Sequence, residues 1–298
     1  IVILDVFCGC GGNSIAFTRL NNNHGGKEKK EERGNDDDND DDDRQQQPQD
    51  DAIPRVKVIA VDNNLSRLKM AANNASIYGI DKEDIVFVHA DAVQVLNCFE
   101  KGARVGKDNS NNSSSSSSSG KEMTEKKDEG ASFCYAGYEL GGIELLPDNL
   151  HGIFLSPPWG GMDYGNEGGK AGFDPVSSIT VESTCISIEG KTNKDYDDGA
   201  GRHKEENAGT IPTAVKTNGG ELLSIAAKAV FETSKEEDDD GSAIAYFLPR
   251  NTSGISMGQI AVASGIKEGC FEMEQNVVNG KVKTVTAYFG RGVERLLK

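Results

Sequence analysis

Ile1-Val2-Ile3-Leu4-Asp5-Val6-Phe7, then Cys8-Gly9-Cys10-Gly11-Gly12, then Asn13-Ser14-Ile15-Ala16-Phe17-Thr18-Arg19-Leu20: these opening residues decide the fold. The first run is apolar and β-branched and predicts a strand. The glycines predict a loop whose backbone a ligand can approach closely. The third run predicts a helix that Asn13 or Ser14 can cap. Strand, glycine loop and helix together form the nucleotide-binding start of a doubly wound sheet. The loop lacks the Gly-Lys-Ser/Thr ending of a phosphate loop and the Gly-x-Gly-x-x-Gly spacing of a dinucleotide site. Asp5 stands just ahead of it, where a carboxylate can pair with a ligand's ammonium. An amino-acid-bearing nucleoside, S-adenosylmethionine, fits this better than a pyrophosphate cofactor.

Two more strand ends agree. Val56–Asp62 reads as a strand ending in an acid, a position that typically binds ribose hydroxyls. Asn64–Tyr78 then predicts an amphipathic helix with Leu65, Leu68, Ala72, Ala75 and Ile77 as its apolar side. Ile85–Val88 is another strand, and Asp91 beyond it can accept from an adenine amino group. Each acid alone is more often a helix cap or a solvated residue. Acids at three successive strand ends are harder to ascribe to accident.

Gly152–Leu155 predicts a buried strand that runs into Ser156-Pro157-Pro158-Trp159-Gly160-Gly161. Two prolines end any ladder, because neither donates an N–H and both fix φ. At this rigid turn Ser156 Oγ and the carbonyls around Pro157 can face a ligand, and Trp159 offers a flat aromatic face. That set suits a planar base with an exocyclic amine. Alone, Pro-Pro-Trp reads as a turn with a core tryptophan; the glycine loop tips the balance.

In the back half, Gly219–Phe231 predicts a helix and Ala243–Leu248 a strand ending in Pro249-Arg250-Asn251. Arg250 is a phosphate or carboxylate ligand, or equally a surface ion-pair partner. Ser256–Ala263 predicts a short helix. Phe271–Val278 and Val282–Phe289 predict a hairpin across Asn279-Gly280. Lys281 and Lys283 are ordinary edge lysines or phosphate ligands. The expected fold is α/β: a doubly wound, mostly parallel, seven-stranded sheet with a reversed strand in the C-terminal hairpin.

The chain has 298 residues and a formal net charge of -16, which by itself argues against a nucleic-acid enzyme. Low-complexity stretches at about 27–51, 101–130, 182–210 and 235–241 carry most of that charge and leave about -3 elsewhere. They lack apolar residues to bury and are expected to be disordered insertions in a single domain. The acidity therefore says little about the substrate. Cys8, Cys10, Cys98, Cys134, Cys185 and Cys270 form no Cys-x-x-Cys pair, so no metal site is expected and a reducing compartment is. Cys8 reads as a small packing residue rather than a catalytic thiol. No stretch is long and apolar enough to span a membrane. The sequence begins inside its first strand and is expected to be a fragment of something longer.

These motifs resemble the trimethylguanosine synthase family, which methylates the N2 amine of the 7-methylguanosine cap on small nuclear and nucleolar RNAs. The matching residues are Asp5–Asn13, Ala60–Asp62, Asn73–Ala75 with Tyr78-Gly79, Phe154–Gly161 with Asp163-Tyr164, Tyr246–Asn251, Glu274–Asn276 and Lys281–Gly290. The Trp-Gly-Gly extension and Phe-Leu-Pro-Arg-Asn are the more specific parts. The resemblance implies that Asp5, Phe7, Gly9, Gly11, Gly12, Asn13, Asp62, Asp91 and Ser156 hold S-adenosylmethionine. It implies that Ser156 and Pro157 orient the guanine N2 and that Trp159 stacks on the cationic 7-methylguanine ring. Pro158, Tyr164, Arg250, Asn251 and Lys281 or Lys283 would complete the cap site, the basic residues and Tyr164 on its phosphates. Capped RNA and small ribonucleoprotein proteins are the implied partners, with a monomeric protein in the nucleus and also the cytoplasm. Family members usually lack these insertions and carry a helical segment ahead of the first strand, which is expected to be needed for full activity. Two other readings stay open: a methyltransferase acting on internal guanine N2 or adenine N6, and a non-catalytic cap-binding module.

Overall fold

The computed structural model describes residues 1–24, 54–99, 132–159, 172–185, 213–231 and 241–290. Strand β1 (Val2–Asp5) leads through the glycine loop into α1 (Gly12–Thr18). Then come β2 (Lys57–Asp62), α2 (Leu65–Ile77), β3 (Ile85–His89) and α3 (Ala92–Phe99). A small hairpin, β4 (Phe133–Tyr135) and β5 (Tyr138–Gly141), precedes β6 (Gly152–Leu155). A short helix α4 (Pro175–Ser178) and the pair β7 (Thr180–Cys185) and β8 (Thr213–Asn218) lead to α5 (Gly219–Phe231). The chain ends with β9 (Ala243–Pro249), α6 (Gly254–Ala263), β10 (Phe271–Val278) and β11 (Lys281–Phe289).

The main sheet runs β10-β11-β9-β6-β1-β2-β3-β5-β4. From β3 to β10 this is the seven-stranded order of a Rossmann-like methyltransferase, with β11 antiparallel to both neighbours. The expected seven strands become nine because β4 and β5 extend the sheet beyond β3. No sequence signal announced that hairpin: its turn is Ala136-Gly137, with φ of 49° and 88°, and alanine is rare at positive φ. The Asn279-Gly280 turn has the same two positive φ values, 52° and 71°, with the residue types such a turn favours. A second correction concerns the stretch read as an insertion from residue 182. Thr180–Cys185 is a strand paired with Thr213–Asn218, and Val181 and Ser183 are buried in it. Alternation in a short polar strand had been masked by its low-complexity neighbour. The rest of the expected insertions falls almost wholly outside the described residues.

Side chains alternate across the sheet, so the parallel strands are buried on both faces. Ile59 and Val61 of β2 join Leu4, Ile153 and Ile244 against α3 and α5. Val58 and Ala60 point the other way, onto Leu68, Ala71, Ala72 and Ala75 of α2. Ile77, expected on that apolar side, is 73% exposed, because two residues past Ala75 the helix has turned about 200°. β1 pairs in parallel with β2 on one side and β6 on the other, so the chain reverses its winding direction there. Such a switch point opens a crevice at the carboxyl ends of the strands, the usual ligand position in this architecture.

Gly11 closes the loop against α2. Its φ is +84°, and a Cβ there would lie 2.9 Å from Ala71 Cβ. Gly11→Ala should therefore cost about 2 kcal/mol or more, from backbone strain and overpacking together. Urea unfolding would read this as a lowered midpoint at unchanged slope; an unchanged midpoint would refute the close packing.

Candidate active site

The loop is tied down before any ligand arrives. Cys8 N–H donates to the Val61 carbonyl at 2.8 Å, and Gly9 N–H donates to Asp62 Oδ2 at 3.0 Å. Asp62 Oδ1 accepts from Asn64 N–H at 2.8 Å, and Arg67 reaches Oδ2 at 3.5 Å. The acid expected on ribose hydroxyls is thus also the latch of the glycine loop. A carboxylate has about four acceptor positions, so it retains capacity for a hydroxyl.

Asp5 lies fully buried under the loop. Ser14 Oγ donates to its Oδ2 at 2.6 Å. Neither Asn13 nor Ser14 caps α1; Gly11 occupies the cap position, Asn13 is exposed, and Ser14 turns inward to Asp5. Oδ1 of Asp5 is buried without a hydrogen-bond partner, although the nearby backbone N–H groups of Phe7 and Ser14 favour the ionised carboxyl. Burial pushes the Asp5 pKa up to about 7, against the pull of the Ser14 hydroxyl and with a small further rise from Asp62. Burial, with the carboxylates of Asp5 and Asp62, also drives the Cys8 thiol well above its usual range. A thiol held protonated is no nucleophile, consistent with a packing role.

Asp91 caps α3: Oδ1 accepts from Val93 N–H at 2.9 Å and Gln94 N–H at 3.0 Å. The same oxygen accepts from Ser183 Oγ at 2.6 Å. Ser183 is buried, and nothing in the sequence flagged it, because it lies in the stretch that reads as an acidic insertion. Arg67 beside Asp62 was equally missed, although a cation in the first turn after a strand-end acid is a legible signal.

On the other side of the switch point, Ser156 Oγ donates to the Phe7 carbonyl at 3.3 Å. Pro157 is buried and Pro158 exposed. Trp159 is half-buried; its Nε1–H donates to the Phe247 carbonyl at 3.1 Å, and its ring lies 5.3 Å from that of Phe247. Arg250 and Asn251 follow β9 at the same end of the sheet. Pro249 pairs with Thr284 in an antiparallel register whose next step outward sets Lys283 opposite Arg250. Lys281 lies two residues farther out, opposite Val278 at the hairpin turn. Both lysines and Arg250 are exposed. Tyr164, with Gly160 and Gly161, lies outside the described residues.

The sheet order thus defines a class I, Rossmann-like methyltransferase fold. Residues 52–174 match the model of the family described as RNA cap guanine-N2 methyltransferase. That span takes in Asp62, Asp91 and Ser156–Trp159 and leaves out the Asp5 loop and Arg250. A solved structure titled as a putative rRNA methylase from Clostridium thermocellum is 7% identical, covers 97% of this chain and 87% of its own, and superposes with a TM-score of 0.37. A likeness that faint carries no argument. Fold and family match together support a nucleic-acid methyltransferase, and the match supports the resemblance to the trimethylguanosine synthase family. Such an enzyme implies S-adenosylmethionine, and the chain's residues fit it: an under-partnered buried carboxylate beneath a glycine loop suits the ammonium of its amino-acid end.

The Asp5 carboxyl has a pH consequence of definite sign. Its folded pKa lies above the unfolded value, so the folded state binds the extra proton and stability falls as pH rises from about 4 to about 7. The three-unit rise sets a ceiling of about 4 kcal/mol on that loss. Asp5→Asn should flatten the profile in this window, measured as the unfolding free energy at successive pH values. An unchanged slope would exclude Asp5 as its source.

Proposed function

We propose that the chain methylates the exocyclic N2 of a 7-methylguanosine RNA cap, transferring twice to give the 2,2,7-trimethylguanosine cap. One observation carries this reading. Ser156 Oγ gives its only proton to the Phe7 carbonyl, so its lone pairs alone are left to face a substrate. A hydroxyl fixed as an acceptor at the switch point selects an amine, which has N–H to donate, over a ring nitrogen that has none.

When bound, S-adenosylmethionine supplies an activated sulfonium methyl. Asp5, the Gly9–Gly12 loop, Asp62 and Asp91 hold it in this reading, with Phe7, Asn13 and Ser156 lining the contact. Asp5 meets the ammonium in its ionised form, so cofactor affinity rises through pH 7. Ser183 fixes the Asp91 carboxylate through its Oδ1. The guanine amine is a weak nucleophile because its lone pair is delocalised into the ring. Acceptors at Ser156 and Pro157 draw its two protons and turn the lone pair outward, so positioning carries most of the work. The nitrogen becomes acidic only as the new bond forms, so no strong general base is needed. Trp159 has its one N–H engaged by Phe247 and offers the substrate only its π surface, which suits a cationic ring. Pro158 and Asn251 border the base, and Arg250, Tyr164 and Lys281 or Lys283 meet the cap phosphates. Capped small nuclear and nucleolar RNA as substrate, ribonucleoprotein partners, a monomeric state and a nuclear location, with the cytoplasm as a second site, follow from the same reading.

Methyl transfer from labelled S-adenosylmethionine to a 7-methylguanosine cap analogue, against the unmethylated cap, tests it. The expected result is labelling of the 7-methyl cap alone. Trp159→Ala should lower kcat/KM about 10- to 100-fold, the range set by base–aromatic stacking, while Trp159→Phe retains most of it. Equal labelling of both caps would replace the cap reading with a broader guanine or adenine enzyme and leave Trp159 as packing for Phe247. Binding of the cap without transfer would point to a binding module.

A further inference from the structure

Opposite the cap side, the outer surface of α1, α2 and β4 carries a second set of recognition chemistry. Two adjoining depressions of about 400 Å³ and 300 Å³ share Cys10 and Asn74. Lys69 and Tyr135 line the first, with Asn73 and Ser66 as polar groups; Arg19 and Tyr78 line the second. Lys69 Nζ lies 5.6 Å from the Tyr135 ring and 5.9 Å from the Phe133 ring. Arg19 Cζ lies 5.9 Å from the Tyr78 ring. Tyr78 is 60% exposed, Phe133 43% and Tyr135 39%. Among the described residues no carboxylate lines either depression, and neither Lys69 nor Arg19 has an ion-pair partner. On a chain of net charge -16, a groove with two cations and no acid departs from the average surface.

We infer that this groove binds the single-stranded RNA that follows the cap. The inference rests on the proposed cap reaction for its biological setting. A single strand presents phosphates alternating with planar bases, and this wall presents cations each set over an accessible aromatic ring. Aromatic platforms combined with basic side chains are the common means of holding single strands without reading sequence. An acidic peptide would satisfy Lys69 and Arg19 but leave the three rings without flat partners. Position agrees as well. Cys10 and Gly12 of the glycine loop line the groove, so it borders the loop of the candidate site. From β9, which Arg250 follows, to β4, which holds Tyr135, is six strand spacings, about 29 Å at ~4.8 Å each. RNA held by its cap phosphates near Arg250 must extend several nucleotides before reaching Lys69 and Tyr135. The groove therefore contributes nothing to a cap dinucleotide and something to a longer transcript.

The experiment compares a cap dinucleotide, a 7-methylguanosine-capped oligonucleotide of about ten residues and the same oligonucleotide uncapped. Affinity is read by fluorescence anisotropy and KM by methyl transfer. The full chain should bind the capped oligonucleotide about 10-fold more tightly than the dinucleotide, and ultraviolet cross-linking should map to Tyr135 or Tyr78. Lys69→Gln with Tyr135→Ala should remove that gain and leave KM for the dinucleotide unchanged. Both residues are at the surface; Arg19→Gln alone serves as a milder variant, lowering the salt slope of oligonucleotide binding by about 1. Equal affinity for dinucleotide and oligonucleotide would overturn the inference, as would cross-links elsewhere or variants that weaken both substrates alike. Failure of the cap reading is separable. Uncapped RNA that binds and cross-links at Tyr135, with no methyl transfer to any cap, keeps the groove and rejects the cap reaction. Methyl transfer to the dinucleotide with no length gain does the reverse.

Discussion

The link from Gly9 N–H to Asp62 Oδ2 is the contact on which the rest of the site depends. It joins the carboxyl ends of β1 and β2 across the glycine loop, with Cys8 N–H on the Val61 carbonyl as its backbone counterpart. These bonds fix where α1 begins, so Ser14 falls over Asp5. They also set the loop close to α2, which is why a side chain at residue 11 would strike Ala71. With the loop rigid, the Phe7 carbonyl stands at a fixed place, and Ser156 on the neighbouring strand can anchor on it. The two sides of the switch point, cofactor and substrate in the proposed reading, are therefore registered by a short chain of hydrogen bonds. Preorganisation of this kind is what methyl transfer needs, because the reaction asks for alignment more than for acid–base chemistry.

A common pattern runs through the site: potential donors are engaged internally, and acceptors or π surfaces remain. Ser156 donates to Phe7, Trp159 to Phe247, Ser183 to Asp91 and Ser14 to Asp5. What faces the crevice is then rich in lone pairs and aromatic surface. In the proposed reading an amine-bearing cationic base and an ammonium-bearing cofactor are the complements of such a surface. The cost falls on Asp5, whose carboxyl is buried without a full set of partners and therefore resists ionisation.

Much of this was legible in the chain. β1, β2, β3, β6 and β9 are short apolar runs with turn residues at both ends, and burial on both faces is what such runs encode. The C-terminal hairpin was legible because Asn279-Gly280 suits two positive φ values. The β4–β5 hairpin was not, because Ala136 takes that conformation only under tertiary constraint. β7 was hidden by the polar stretch that follows it, and with it Ser183. The three strand-end acids were found by position, but their detailed engagements were not. A capping or latching hydrogen bond depends on where two distant backbones meet, which no local pattern records.

The sequence alone determined the alternation of strands and helices, the glycine loop, the acids at successive strand ends and the Ser-Pro-Pro-Trp turn. These are local properties, set by side-chain shape, backbone freedom and periodicity. Only the tertiary structure decided which hydroxyl would orient which carboxylate, that Trp159 would give its N–H to β9, and that Lys69 and Arg19 would stand over exposed rings. Those outcomes depend on contacts between residues far apart in the chain, brought together only when the sheet order places β1 between β2 and β6.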